Sequence, residues 1–131
     1  MIAPAIYSLL NVASVTSLVN GVYFTVAPQL KSFPYITFDE SGDTENFKDG
    51  CTIINHRLQV DVFCSKGKDG NGGFLEANTI ATAINLVLDR QKGTFAGINI
   101  DQIYLDWQQA TYDPMSEAAR VILEYKVRQR L

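Results

Sequence analysis

Residues 56–64, within a predicted strand over residues 52–64, alternate apolar and polar side chains with almost no interruption, and this pattern constrains the fold more than any other feature of the chain. Successive side chains of a β-strand point to opposite faces, so the pattern predicts a long strand with one aliphatic and one polar face. The aliphatic row is Leu58, Val60, Val62 and Cys64, and the polar row is Arg57, Gln59 and Asp61. A shift of one residue would expose the whole aliphatic row, so we expect a fixed register.

The C-terminal segment 119–131 has the same period of two. Its apolar row is Val121, Leu123, Tyr125 and Val127, and its polar row is Glu124, Lys126, Arg128 and Arg130. Glu, Lys and Arg also suit a terminal helix, but the period predicts a strand.

The segment 98–110 is also predicted to be a strand, but its alternation changes phase after Ile100. One extra residue near Asp101–Gln102, a β-bulge, would explain the change. This phase places Trp107 with the aliphatic row in the core. It places Tyr104 on the opposite face, where an aromatic side chain with a polar tip is a candidate interface anchor.

Two helices are predicted to complete the core. Apolar residues recur at helical spacing over residues 2–18 and again over 74–90, where Arg90 and Lys92 suit the negative end of the helix dipole. Short β-prone runs occur at residues 22–26 and 33–38, the second with a proline at its start, where a missing N–H is least costly.

Two polar segments are predicted to be loops. Asp39–Gly50 contains five acidic residues and two glycines, and Ser65–Gly73 is a glycine-rich turn. The element order predicts an α+β fold, with one mostly antiparallel β-sheet and two α-helices packed on one face.

Length and composition are those of a single globular domain, residues 1–131. The net charge of −3 provides no basic field that would attract nucleic acid. The apolar N-terminus lacks the positive region of a signal peptide, its first charge being Lys31, so we expect neither secretion nor a membrane anchor. Two cysteines, Cys51 and Cys64, are too few for a disulfide framework, and a single disulfide between them remains an alternative to two reduced thiols.

No catalytic, metal or cofactor site is predicted. His56 and Cys64 lie eight residues apart on one strand, about 26 Å at roughly 3.3 Å per residue, so they cannot meet. His56 could reach Cys51 across a turn, but a histidine at a strand end is more often structural, and one histidine with two thiols is a poor metal-ligand set. The glycine-rich turn matches neither the EF-hand loop nor the phosphate loop. Asp61 and Asp106 could approach each other, yet such groups on sheet surfaces usually lie opposite Lys or Arg.

The polar strand faces therefore predict contact with other proteins. The candidate assembly interface consists of Arg57, Gln59, Asp61, Tyr104, Lys126, Arg128 and Arg130. The basic strip at the C-terminus has no aromatic stacking platform beside it, so a solvated strand face or a subunit contact is favoured over nucleic-acid reading.

The order of segments resembles a known family. An opening IAPAIYSLL and SVTSLV are followed by GVYFTVAPQ, the aromatic–proline strand FPYITFD, the strand HRLQVDVF, the helix EANTIATAINLVLD and a strand ending in a Tyr-Asp turn. This order is similar to that of the tail-completion (tail-terminator, head–tail joining) proteins of long-tailed bacteriophages and prophages. The resemblance covers residues 2–127 and lies in order and pattern; the acidic and glycine-rich segments are longer than the family pattern.

The resemblance implies a structural protein of the virion, without catalytic residues or cofactor. Members form rings, commonly hexameric, at the head-proximal end of the tail, where they end tube growth and join tail to head. The implied partners are further copies of the chain, the major tail tube protein and a neck or head-completion protein, with assembly in the host cytoplasm. DNA passes through the lumen without sequence-specific binding.

Ring closure requires a heterologous interface between two different patches of each copy. Acidic residues along a channel would repel DNA and let it slide, whereas basic residues would bind its phosphates. We therefore expect the acidic segment to face the channel or the tail tube, through Asp39, Glu40, Asp43 and Glu45. The alternatives are another neck component, such as a head-completion or stopper protein, and a small ligand-binding domain with a pocket beside His56.

Overall fold

The computed structural model describes residues 1–27, 32–46, 50, 52–66, 72–115 and 117–131. The helices are α1 (Ala3–Leu10), α2 (Ala13–Thr16) and α3 (Phe74–Leu88). The strands are β1 (Val22–Phe24), β2 (Tyr35–Asn46), β3 (Thr52–Ser65), β4 (Gly93–Phe95), β5 (Ile98–Asp113) and β6 (Ala118–Arg130).

The strands form one six-stranded sheet in the order β1-β2-β3-β6-β5-β4. β1 is parallel to β2, and the other neighbouring pairs are antiparallel. The α+β class is confirmed, but the sheet is mixed, and the expectation of a mostly antiparallel sheet is corrected. Alternation determines which face of a strand is apolar and carries no information about strand direction, so the sequence could not specify the parallel edge.

The N-terminal helix predicted over residues 2–18 is two helices. α1 ends at Leu10 with Asn11 as its C-cap, and Val12 is extended, with φ −125° and ψ 152°, before α2 begins. The prediction of two helices is therefore wrong, and three are present among the described residues. Val12 is β-branched and Asn11 favours turns, which together explain a break that the apolar spacing did not reveal.

The acidic segment is also not a loop over most of its length. β2 continues through Asp39 to Asn46, and each residue of this stretch is paired with β3, ending at Asn46 opposite Thr52. Backbone pairing with β3 extends β2 through this stretch although its sequence is polar. Residues 47–49 and most of the glycine-rich turn, residues 67–71, lie outside the described residues.

The core lies on the aliphatic face of the sheet. It joins one row of each long strand to apolar residues of the three helices, including Ile6, Val15 and Ile84, which have no exposed surface. α3 contacts β3, β5 and β6, and the Tyr125 hydroxyl donates a 2.9 Å hydrogen bond to Asn85 of α3. None of the helices within the described ranges is long and apolar enough to cross a membrane.

Candidate assembly surface

The opposite face of the sheet carries the polar rows of β3, β6 and β5, and we call it the polar face. The predicted alternation of β3 is confirmed, because Leu58, Val60, Val62 and Cys64 are fully buried in the core. On the polar face, the β3–β6 register places Arg57 opposite Lys126 and Gln59 opposite Glu124. Three of the seven predicted interface residues lie on these two pairings. The other four lie opposite different partners: Tyr104 opposite Lys126, Asp61 opposite Ile122, Arg128 opposite Asn55 and Gln102, and Arg130 at the end of β6 opposite Ile53.

Two ion pairs organise the centre of the polar face. Arg57 Nη1 lies 2.7 Å from Glu124 Oε1, and Arg120 Nη2 lies 3.1 Å from Asp61 Oδ2. Gln59 adds hydrogen bonds of 3.1 and 3.2 Å to the Asp61 carboxylate. The side chains of Glu124 and Asp61 are only 9% and 13% exposed, so these cross-strand partners compensate carboxylates that are largely removed from water.

The ion pairs at the outer end of the polar face are longer and more exposed. Lys126 Nζ lies 3.8 Å from Asp106, and Arg128 and Arg130 both approach Asp101, at 3.8 and 3.7 Å. Arg128 Nε is buried and has no hydrogen-bond partner among the residues that the structure describes. Exposed pairs of this length contribute little to stability, so Lys126 and Arg128 can change partners at low cost.

A cavity of about 450 Å³ opens on this end of the face. Its lining comes from β2, β3, β5 and β6 and includes Gly42, Asn55, Tyr104, Lys126 and Arg128. His56 is also among its lining residues, and its Nε2 lies 2.8 Å from Gln129 Oε1, which does not line the cavity. The lone histidine is thus held in a structural hydrogen bond beside a basic cleft.

Tyr104 and Trp107 lie on the same face, which corrects the placement of Trp107 in the core. The bulge predicted near Asp101–Gln102 is confirmed, but a second register shift follows between Leu105 and Trp107. This shift turns Trp107 to pair with Glu124, and both aromatic side chains are 40% exposed. A second bulge directly after the first leaves too short a run of alternation to be read from sequence.

Aromatic side chains form the other end of the polar face, which sequence reasoning missed. The Tyr35 ring stacks on Phe33 and Phe63, with centroid distances of 5.4 and 4.9 Å. The Arg120 guanidinium lies 5.5 Å from the Phe63 centroid, at cation–π distance. Burial, followed by the nearby Asp113 charge, raises the pKa of the Tyr35 hydroxyl. The signal was the i, i+2 spacing of Phe33 and Tyr35, together with the polar-row position of Phe63.

The four predicted channel acids lie along β2. Asp39 is exposed and pairs with Gln59, whereas the Glu40 carboxylate accepts hydrogen bonds of 2.9 and 3.1 Å from the backbone N–H of Ile2. Asp43 and Glu45 occupy register positions opposite Asn55 and Ile53. Glu40 is therefore tied to the start of α1, a role that its loop-like sequence context did not suggest.

The candidate chemical groups are kept apart in the described part of the chain. Cys64 is buried in the core, His56 contacts Gln129 at the other end of β3, and Cys51 lies outside the described residues. Asp61 and Asp106 lie on β3 and β5, which β6 separates, and each faces a cation of β6. No group of three or more His, Cys, Asp or Glu residues within the described ranges could hold a metal ion.

Fold and polar face together define a small α+β protein whose organised side chains lie on an open sheet surface, a form suited to protein–protein contact. The family model described as "Tail completion protein gp17" matches residues 4–130, and the chain belongs to this family of structural bacteriophage virion proteins. A chain of the solved structure "Virion of native gene transfer agent (GTA) particle" has a similar fold, with a TM-score of 0.80 and 19% identity over 97% of this chain and 92% of that one. No curated protein matches the sequence.

Proposed function

We propose that this protein forms a ring, commonly hexameric in its family, that closes the head-proximal end of a phage tail tube and joins the tail to the head. The observation that carries the proposal is the family match, which covers residues 4–130 and so includes every helix and strand of the fold except the first residue of α1. The similarity in fold to a chain of a virion structure supports it.

The polar face is the proposed contact surface, through Arg57, Gln59, Asp61, Tyr104, Lys126, Arg128 and Arg130. Its centre is fixed by the short Arg57–Glu124 and Arg120–Asp61 pairs, so it presents a rigid surface. Its outer end is adaptable, because Lys126 and Arg128 are 47% and 42% exposed and their carboxylate partners lie 3.8 Å away. Loosely paired cations can bind carboxylates of a neighbouring protein and give the contact its specificity.

The acidic residues Asp39, Glu40, Asp43 and Glu45 are proposed to face the channel or the tail tube. Negative charge along the channel would repel DNA phosphates and allow the genome to pass without binding. The partners in this arrangement are further copies of the chain, the major tube protein and a neck or head-completion protein.

Deletion of the gene in the phage or prophage that carries it tests this function. We expect tails of abnormal length that are not joined to heads, as seen by electron microscopy, and restoration by the wild-type gene in trans. Tails of normal length combined with heads that leak DNA would instead assign the chain to the neck. Normal, joined and infectious particles would reject both roles.

The channel proposal has its own test. Replacing Asp39, Glu40, Asp43 and Glu45 with Asn or Gln should change tail length or reduce infectivity. Unchanged tails and unchanged infectivity would remove the channel assignment and leave the ring proposal standing. Asp39→Asn alone is a useful single variant, because the Asp39 side chain is exposed and asparagine keeps an oxygen that can accept the 2.8 Å hydrogen bond from the Glu40 N–H, so α1 should not be disturbed.

A further inference from the structure

The two edges of the sheet are open at the same level. At one edge, none of the strands among the described residues pairs with the outer side of β1. At the other edge, β4 covers only Ile98–Ile100 of β5. The segment that follows α3 then forms hydrogen bonds with the next part of β5: Arg90 and Gln91 with Ile103, and Asp89 with Leu105. Beyond Leu105, β5 continues to Asp113 with no described strand on its outer side.

This outer part of β5 lacks the usual protection of an edge strand. Residues 107–112, WQQATY, contain neither Lys nor Pro nor any charge, and Gln108, Gln109 and Ala110 are exposed. Trp107 and Tyr112 add apolar surface, 40% and 45% exposed, on either side of the edge. Natural proteins usually blunt or cover an edge of this kind, because its unpaired N–H and C=O groups recruit another strand.

The backbone groups of the two edges face outward at matching positions. In β5, the backbone groups of Ile103 and the N–H of Leu105 form hydrogen bonds on the side away from β6. These two residues lie opposite Val127 and Tyr125 of β6. The backbone groups of β5 residues that lie opposite odd-numbered residues of β6 therefore point toward the outer edge. By this alternation Gln108 and Ala110, opposite Leu123 and Val121, present their N–H and C=O groups to the open edge.

The same reasoning identifies the outward groups of β1. Ile36 N–H bonds Gly21 O and Thr25 N–H bonds Phe38 O, so Gly21 and Thr25 point toward β2. In a strand that alternates, Val22 therefore presents its N–H and C=O groups to the opposite side, and Phe24 its N–H, while the Phe24 C=O accepts a 2.8 Å hydrogen bond from the Val26 N–H.

The outward groups lie on the same rows across the sheet. One row runs Val22–Ile36–Val62–Val121–Ala110, and the other runs Phe24–Phe38–Val60–Leu123–Gln108. Strand directions along these rows make β1 antiparallel to β5. A neighbouring copy placed at the same level would thus bring its Val22 opposite Ala110 and its Phe24 opposite Gln108. At the first position N–H and C=O groups face each other on both strands, and at the second the Phe24 N–H faces the Gln108 C=O.

From this match we infer that the outer edge of β1 in one copy pairs with residues 108–110 of β5 in the next. The occupant is a second copy of this chain, because both edges belong to the same sheet, agree in level and orientation, and are different surfaces, as a closed ring requires. The Val22–Ala110 pair exchanges both of its hydrogen bonds, and the Phe24 N–H adds one bond to the Gln108 C=O, with Tyr23 opposite Gln109 between them. This inference rests on the proposed ring and names its interface.

Cysteine crosslinking in assembled tails tests the pairing. The double variant Tyr23→Cys/Gln109→Cys, in a background with Cys51→Ser, brings two thiols together only between copies. Within one copy, β2, β3 and β6 separate them by about 19 Å at roughly 4.8 Å per strand, beyond disulfide reach. Mild oxidation should yield a ladder of covalent oligomers that ends at the ring number. Phe24→Cys/Gln108→Cys provides a second pair if the Tyr23 variant does not fold.

The matched control is Tyr23→Cys/Gln102→Cys. Gln102 is exposed and on the same strand, but about 23 Å from Gln109 at roughly 3.3 Å per residue, so no ladder is expected. If the chain is present in tails and neither edge pair crosslinks, the inferred interface is wrong and the proposed function stands. If the chain is absent from tails, the proposed function fails and the interface with it.

Ala110→Pro tests the same edge without cysteines. Because Ala110 N–H points away from β6, proline removes only the outward donor, as edge strands tolerate. We expect the isolated chain to keep the unfolding transition of the control Ala110→Ser, while ring assembly is lost in Ala110→Pro alone. Normal ring assembly by a folded Ala110→Pro variant would overturn the inference.

Discussion

The Arg57 guanidinium and the Glu124 carboxylate lie 2.7 Å apart across the β3–β6 pairing, and they differ sharply in exposure. The Arg57 side chain is 64% exposed and the Glu124 side chain 9%. Glu124 is therefore the partner that depends on the pair, since an arginine with this exposure regains water when the pair is broken.

Arg57→Met is expected to lower the free energy of unfolding by about 1–2 kcal/mol, because it leaves a largely buried carboxylate without its charged partner. Urea denaturation of the isolated chain measures this change. Lys126→Met is the matched control on the neighbouring strand. Its 3.8 Å pair with Asp106 is exposed, and its loss should cost about 0.5 kcal/mol or less. Equal effects of both substitutions would contradict the different roles assigned to the two pairs.

Glu40→Gln is expected to destabilise the fold by about 1 kcal/mol, because a charged acceptor of the Ile2 N–H becomes a neutral one at the start of α1. Thermal or urea unfolding detects the change. Asp39→Asn, the adjacent exposed acid, should be close to neutral. If Glu40→Gln is as stable as Asp39→Asn, the contact with α1 contributes nothing, and any assembly defect of Glu40→Gln is due to lost charge alone.

The buried hydroxyl of Tyr125 should lower the free energy of unfolding at alkaline pH. Burial, followed by the nearby Asp89 charge, raises the pKa of its hydroxyl above the usual value of about 10. The folded state therefore holds the Tyr125 proton more tightly than the unfolded state. The resulting contribution to the free energy of unfolding is fully present below about pH 10 and declines as the pH rises toward the folded-state pKa. Tyr125→Phe should be less stable at neutral pH, through loss of the Asn85 hydrogen bond, by about 1 kcal/mol.

The difference between wild type and Tyr125→Phe should shrink above pH 10, as followed by urea denaturation at a series of pH values. Comparing the two proteins cancels the titration of lysines and of the other tyrosines. A constant difference up to pH 11 would show that the Tyr125 pKa is not raised in the folded state.

The sequence predicted the features that depend on long alternation. The two faces of β3 were predicted from its aliphatic row, Leu58 to Cys64, because a register error there would expose the whole row. The first bulge of β5 was predicted from the change of phase in its own alternation. It failed where local composition and pairing disagree. Asp39–Asn46 is polar enough to resemble a loop, yet β3 supplies its backbone partners. The placement of Trp107 failed because one extra residue reverses every face that follows it.

The sequence predicted which residues lie on the candidate surface, but it did not predict which of them contact each other. The strand faces placed Arg57, Gln59 and Asp61 together, but their partners Glu124 and Arg120 depend on strand order, which alternation does not encode. The open edges of β1 and β5 were invisible for the same reason. An edge is defined by the neighbour that a strand lacks.

Gly73, the N-cap of α3, is expected to tolerate no side chain. Its φ is +89°, and a Cβ would lie 2.5 Å from the backbone oxygen of Ser65. Gly73→Ala therefore combines the strain of a left-handed residue with a clash against backbone, and it should cost more than about 2 kcal/mol of unfolding free energy. Gly97→Ala separates the two causes, because Gly97 has φ +77° but open space around its Cβ position, so it should cost only about 1 kcal/mol. Urea denaturation of both variants gives the comparison. Equal losses would mean that the β3–α3 connection yields to the methyl group, and that the close approach of Gly73 to Ser65 does not fix the start of α3.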